Sequence, residues 1–154
     1  MILTGTFTFN GPRTTVWELL QDPAVLAKAL PGTKTLTRTS EDHYEGIMKV
    51  SVGPVTAAEF AVKVELRDKV EPETFAMHID GKGGVGFTTG IATIALQEQP
   101  GPVTPLTILT YSSDVQVGGK IAAVGQRLLE SVGKMMTRQA LDALNKELRT
   151  RLDK

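Results

Sequence analysis

Two histidines, His43 and His78, are the only imidazoles in the chain, and no carboxylate accompanies either at the spacing of a metal site. On alternating strands both point away from the apolar face, as solvated side chains do rather than bases. Gly81-Lys-Gly-Gly-Val-Gly86 has the glycine density of a phosphate loop. It lacks the Gly-Lys-Ser/Thr ending and runs into a strand pattern instead of a helix, so it reads as a flexible turn. No serine or threonine stands in a nucleophile-elbow pattern, and the absence of cysteine removes thiolate nucleophiles, thiolate metal ligands and disulfides. General acid–base work needs a proton-transfer group within reach of substrate, and Tyr111 is nearly the only one that alternation points inward. The expectation is a protein that is not an enzyme, with no metal and no tightly bound cofactor.

What the sequence offers instead is apolar surface. Residues 2–9 alternate as a strand, with Leu3, Gly5, Phe7 and Phe9 on one face, and Asn10-Gly11-Pro12 ends it. Helical spacing follows from Pro12 to Leu20, and a second short helix after Asp22-Pro23 stops at Pro31-Gly32. Strand patterns recur near 33–40, 43–52, 55–67, 74–80, 86–98 and 103–117, separated by turn residues. Beyond Gly118-Gly119 a helical pattern continues almost to the end. One strand, two short helices, six strands and one long helix imply an α+β fold, in which a curved antiparallel sheet of about seven strands is covered by the last helix. At 154 residues a single domain, 1–154, is expected.

Alternation selects the inward side chains. Met48, Val50, Phe60, Val62, Phe75, Met77, Ile94, Leu109 and Tyr111 come from the strands, Trp17 from the first short helix, and Ile121, Gly125, Leu128 and Val132 from the last helix. Small residues on that helix face, Ala122, Gly125 and Gly133, leave space, and these fourteen positions are expected to line a hydrophobic cavity bounded by Gly125 and Leu128. The alternative is that they simply fill a core. For Trp17, packing between helix and sheet competes with lining the entrance.

Charge and hydropathy bound the partners. Seventeen basic residues balance seventeen acidic ones, so no overall field recruits nucleic acid or an anionic membrane. Met-Ile-Leu-Thr-Gly-Thr-Phe lacks the basic segment and apolar run of a secretory signal, and no stretch is apolar enough to span a bilayer. A cytoplasmic protein is expected.

Four segments carry a family resemblance: Val16-Trp-Glu-Leu-Leu-Gln-Asp-Pro23, Leu30-Pro-Gly32, Tyr44-Glu-Gly-Ile-Met-Lys-Val-Ser-Val-Gly-Pro54, and Tyr111 through Leu129 with its Gly-Gly-Lys and Val-Gly-Gln-Arg. In this order they resemble the carbon monoxide dehydrogenase CoxG family of the START-like, helix-grip superfamily, nearly end to end. The resemblance implies a curved sheet gripping the C-terminal helix around a hydrophobic cavity, with the short helices closing one end. It also implies association with a molybdenum hydroxylase of the carbon monoxide dehydrogenase type, a link to the membrane, and peripheral placement at the inner face of the cell membrane. An isoprenoid quinone or lipid is the ligand that fits such a role. A non-catalytic assembly or recruitment factor, and a START-like cyclase or dehydratase, are the competing functions.

One further pattern lies near the C-terminus. At about 100° per residue, Leu141, Leu144, Leu148 and Leu152 fall nearly opposite Ile121, Gly125, Leu128 and Val132 on one continuous helix. Residues 134–154 carry Lys134, Arg138, Lys146, Arg149, Arg151 and Lys154 against Asp142, Glu147 and Asp153, six minus three, or plus three. The stripe suits an interaction face for a membrane or an acidic partner. A bend near Gly133, or packing of the leucines on the first strand and short helices, is the competing reading and is slightly preferred.

Overall fold

Alternation becomes seven antiparallel strands in the computed structural model, which describes residues 1–153. Lys154, counted in the cationic balance above, lies outside them. The strands are β1 (Ile2–Phe9), β2 (Thr33–Ser40), β3 (His43–Val52), β4 (Val55–Val70), β5 (Thr74–Gly83), β6 (Gly86–Gln99) and β7 (Leu106–Gly118). Helices α1 (Arg13–Leu19) and α2 (Pro23–Ala29) follow β1, and α3 (Gln126–Leu152) ends the chain. The sheet order is β1-β7-β6-β5-β4-β3-β2, so β1 closes onto β7 and everything else is a meander. Register shifts at Val50/Val52 and Arg67/Val70, with Ala57 and Asp68 at positive φ, bend β4 around α3.

Three boundaries differ from the reading of the sequence. The ladder between β5 and β6 runs through Gly83 opposite Gly86, so the glycine-rich segment expected to be a turn is mostly strand and only Gly84-Val85 turns. Backbone pairing does not need a side chain, which is why glycines can extend a strand that propensity would end. The last strand starts at Leu106 because Pro102 and Pro105 remove ladder donors before it. The C-terminal helix is not continuous from Gly119. A 3-10 turn, Lys120–Val124, comes first, and Gly125 at φ +100° separates it from α3.

That break, with the packing beyond it, decides between the two readings of the leucine stripe and removes the interaction face. A helical phase counted from Ile121 does not carry across Gly125, and on α3 itself the leucines point into the molecule. Leu141, Leu144 and Leu148 are buried, Leu148 completely, in a cluster with Phe9, Val16, Leu19 and Leu109. Only Leu152, at 41% exposed, keeps a surface position. The loop Asn10-Gly11-Pro12 is the seat of this packing. A Cβ at Gly11 would fall 2.9 Å from both Leu148 and Leu152, so the helix approaches there because no side chain intervenes. The fully buried Thr107 hydroxyl donates to the Gly11 carbonyl at 2.7 Å, and Asn10 and Asn145 exchange two hydrogen bonds of 3.0 Å. Farther along, Arg151 donates to the Asp22 carboxylate at 3.1 Å.

Asp22 also caps α2. Its Oδ1 accepts from Ala24 N at 3.0 Å and Val25 N at 3.4 Å, with Pro23 in the first turn. The turn before it is fixed from the sheet by Tyr44, buried on β3, whose hydroxyl donates to the Gln21 carbonyl at 2.6 Å. Burial pushes the Tyr44 phenol above its ordinary pKa, outweighing the nearby Arg38 and Lys69 cations.

Two measurements follow. Leu148→Ala is expected to cost about 2–5 kcal/mol, as buried leucines do, and to lower Tm by about 5–15 °C in thermal unfolding. An unchanged Tm would restore the surface role for this stripe. Tyr44→Phe leaves the Gln21 carbonyl without its donor and is expected to lower stability by about 1 kcal/mol in denaturant titration.

Candidate functional site

The space under α3 divides in two. Around its C-terminal half the sheet, α1 and α2 close into a filled core. Around its N-terminal half a second, looser cluster of Val52, Ala58, Phe60 and Ile121 borders a cavity of about 250 Å³. The strands supply Met48, Val50, Val52, Phe60, Val62, Ile79, Phe87, Thr88 and Val117, and the helical side supplies Ile121, Leu129, Val132, Gly133 and Met136, with Met1 at the edge. Thr88 is the one polar side chain among them, and none carries a titratable side chain.

Two glycines of the sheet lie on the same face as the lining side chains, and a Cβ at Gly81 would fall 2.9 Å from the Thr88 methyl. Gly81 lies opposite Val62 and Thr88, and Gly90 lies opposite Ile79, so both occupy the inner face. A Cβ built on Gly90 would meet no atom closer than 3.5 Å. Such a cavity disfavours polar solutes because, among its lining side chains, only the Thr88 hydroxyl can replace their hydrogen bonds to water.

Of the fourteen positions expected to line the cavity, Met48, Val50, Phe60, Val62, Ile121 and Val132 are brought together there. Phe75, Ile94 and Leu109 belong to the filled half, with Met77 and Tyr111 packed against it. Tyr111 lies across the strand pair from Gly5, and a Cβ on that glycine would fall 2.6 Å from its hydroxyl oxygen. Trp17, 4% exposed, meets Phe75 edge to face at 5.3 Å. It therefore packs between helix and sheet in the filled half and does not line an entrance. Leu128 reaches toward Gly53 at the β3–β4 turn. Gly125 is exposed and is the joint before α3, not a gap in a helix face. Leu129 and Met136 were missed, although Leu129, Val132, Gly133 and Met136 stand at i, i+3, i+4 and i+7 once the helix is begun at Gln126.

Both histidines sit on the outer face, where side-chain contacts run across four strands, β2 to β5. His43 is hydrogen-bonded to Ser40 at 2.9 Å and lies 3.7 Å from Glu65, and His78 lies 3.3 Å from Arg67. The Arg67 hydrogen bonds hold the Glu65 carboxyl below its usual range. These contacts are solvent-exposed and lie apart from the cavity beneath α3. Among the described residues no group of three or more His, Cys, Asp or Glu side chains could hold a metal ion, and no helix is long and apolar enough to cross a membrane.

Comparison with known proteins agrees with this architecture. A conserved protein from Geobacillus kaustophilus is 30% identical over 97% of this chain and 96% of its own, with a TM-score of 0.88. A START superfamily protein from Mycobacterium smegmatis (13% identity, 97% of each chain, TM-score 0.69) shares the fold. So does an aromatase/cyclase from a Streptomyces species (16% identity, 99% of this chain and 95% of that one, TM-score 0.65). No curated protein matches the chain. The family model for the carbon monoxide dehydrogenase G-subunit (CoxG) matches residues 5–150. With the helix-grip topology and the cavity beneath α3, that match means that the chain belongs to the carbon monoxide dehydrogenase CoxG family.

Proposed function

We propose that this protein is a non-catalytic carrier of an apolar small molecule, an isoprenoid quinone or a lipid, serving a molybdenum-containing enzyme of the carbon monoxide dehydrogenase type. The observation that carries the reading is the composition of the cavity wall, in which Thr88 is the one polar side chain. Hydrocarbon is what such a wall accepts, at roughly 25 cal/mol per Å² of apolar surface removed from water. The enzymatic partner rests on the family name alone. A cyclase role fits less well, because acid–base chemistry needs a proton-transfer group beside the substrate and the wall offers none. With Tyr111 and Trp17 outside the cavity, a quinone ring would find its polar contacts at Thr88 and at backbone near the rim.

The test is extraction. Protein purified without detergent, incubated with membrane lipid extract and analysed by mass spectrometry, is expected to yield a quinone or lipid near one per chain. A wild-type protein that returns nothing points to assembly instead of carriage. Val132→Phe puts a ring into the cavity from a partly buried helix position. Displacing about two methylenes of ligand, at ~0.8 kcal/mol each, is expected to weaken binding of a water-soluble short-chain quinone about tenfold with Tm unchanged. Equal affinity in the folded variant would place the ligand elsewhere.

A further inference from the structure

The zero net charge of the chain conceals an axis. β3 ends and β4 begins at one end of the sheet, where the β5–β6 turn, the end of β7, the 3-10 turn and the start of α3 also lie. The Ile121 amide donates to the Val85 carbonyl at 2.7 Å, and Gly53 lies against Leu128, so these segments touch. Residues 51–58, 81–90 and 115–129, which build this end, contain Lys82, Lys120 and Arg127 and no carboxylate. All three cations are exposed and none has an ion-pair partner among the described residues. Of the flanking carboxylates, Glu59 pairs with Lys34 and Asp114 with the terminal amine, each at 3.8 Å, which leaves Asp80 and Glu130 against the three cations. The turns at the opposite end, 40–43, 67–74 and 97–105, carry six carboxylates and two cations.

Apolar groups are mixed into the cationic end. Phe87 is 48% exposed and also lines the cavity, Pro54 and Ala123 are exposed, and Val55, Val85 and Val124 are partly so. A hydrocarbon-lined cavity thus reaches the end of the molecule where cations and apolar side chains share the surface and carboxylates are missing. An acidic protein would satisfy the cations but not the apolar groups between them. A bilayer containing anionic lipid satisfies both.

We infer that this end docks the cavity onto an anionic lipid bilayer through Lys82, Lys120 and Arg127, with Phe87 entering the headgroup layer. The inference rests on the carrier reading for its purpose but not for its test. Flotation of the full chain with phosphatidylcholine vesicles, with and without phosphatidylglycerol, measures it. Wild-type protein is expected to partition onto the phosphatidylglycerol vesicles and to be released by salt. The triple variant Lys82→Glu, Lys120→Glu, Arg127→Glu is expected to lose at least about 100-fold in partitioning. Lys146→Glu with Arg149→Glu, on the other half of α3, is expected to leave it unchanged. A wild type indifferent to phosphatidylglycerol, a triple variant that still floats, or an equal loss in the α3 control overturns the proposal. Binding to soluble polyglutamate with none to vesicles overturns it in favour of an acidic protein. Mass spectrometry on the same samples keeps the two readings apart. A triple variant that retains its apolar ligand while losing vesicles is the expected pair of results. Vesicle binding by a wild type that carries no ligand removes the carrier reading and leaves the docking surface standing.

Discussion

Everything in this fold depends on α3 being held firmly along one half and only lightly along the other. Leu141, Leu144 and Leu148 fill the concave sheet at one end, and the glycine at position 11 lets the helix come close enough for them to do so. The hydrogen bonds from Asn145, Arg151 and the Thr107 hydroxyl are local consequences of that approach. Satisfied polar groups at the seat help to fix the helix in rotation as well as position, because they join it to the β1–α1 loop, to β7 through that loop, and to Asp22.

With one half fixed, the other must span the sheet wherever its curvature leads. β4 carries irregularities at Ala57 and Asp68, and a cavity lies between the sheet and the N-terminal half of α3. Protein interiors ordinarily close to crystal-like density. Here collapse is opposed because the helix cannot swing down without drawing its leucines out of the filled half, and the strands cannot rise without breaking register. The cavity persists as a by-product of packing elsewhere, and its wall is apolar because each of the contributing strands has an alternating, half-buried pattern.

Much of this was legible in the residues. Strict alternation gave all seven strands and the inward face, since a period of two survives any local curvature. The two short helices were legible from proline, aspartate and helical spacing. The beginning of the long helix was not, because Lys120–Val124 has helical spacing and Gly125 can continue a helix or end one. Only the backbone angle decides, and a glycine carries no side chain to announce it. That single ambiguity misplaced the helix phase, allowed an outward reading of buried leucines and hid Leu129 and Met136. The division between filled and empty halves was illegible for a different reason. Phe60 and Phe75 look alike on alternating strands, and which one faces a void depends on how far away the opposite wall stands.

The position of Trp17 has an optical consequence. It is the molecule's one indole, and it is enclosed with Phe75 in the buried cluster beneath the C-terminal half of α3. Its emission is therefore a gauge of the leucine-packed region, and red-shifts when that region admits water. Solvent-driven shifts of that emission follow melting of the leucine-packed half and are insensitive to water entering or leaving the far end of the sheet.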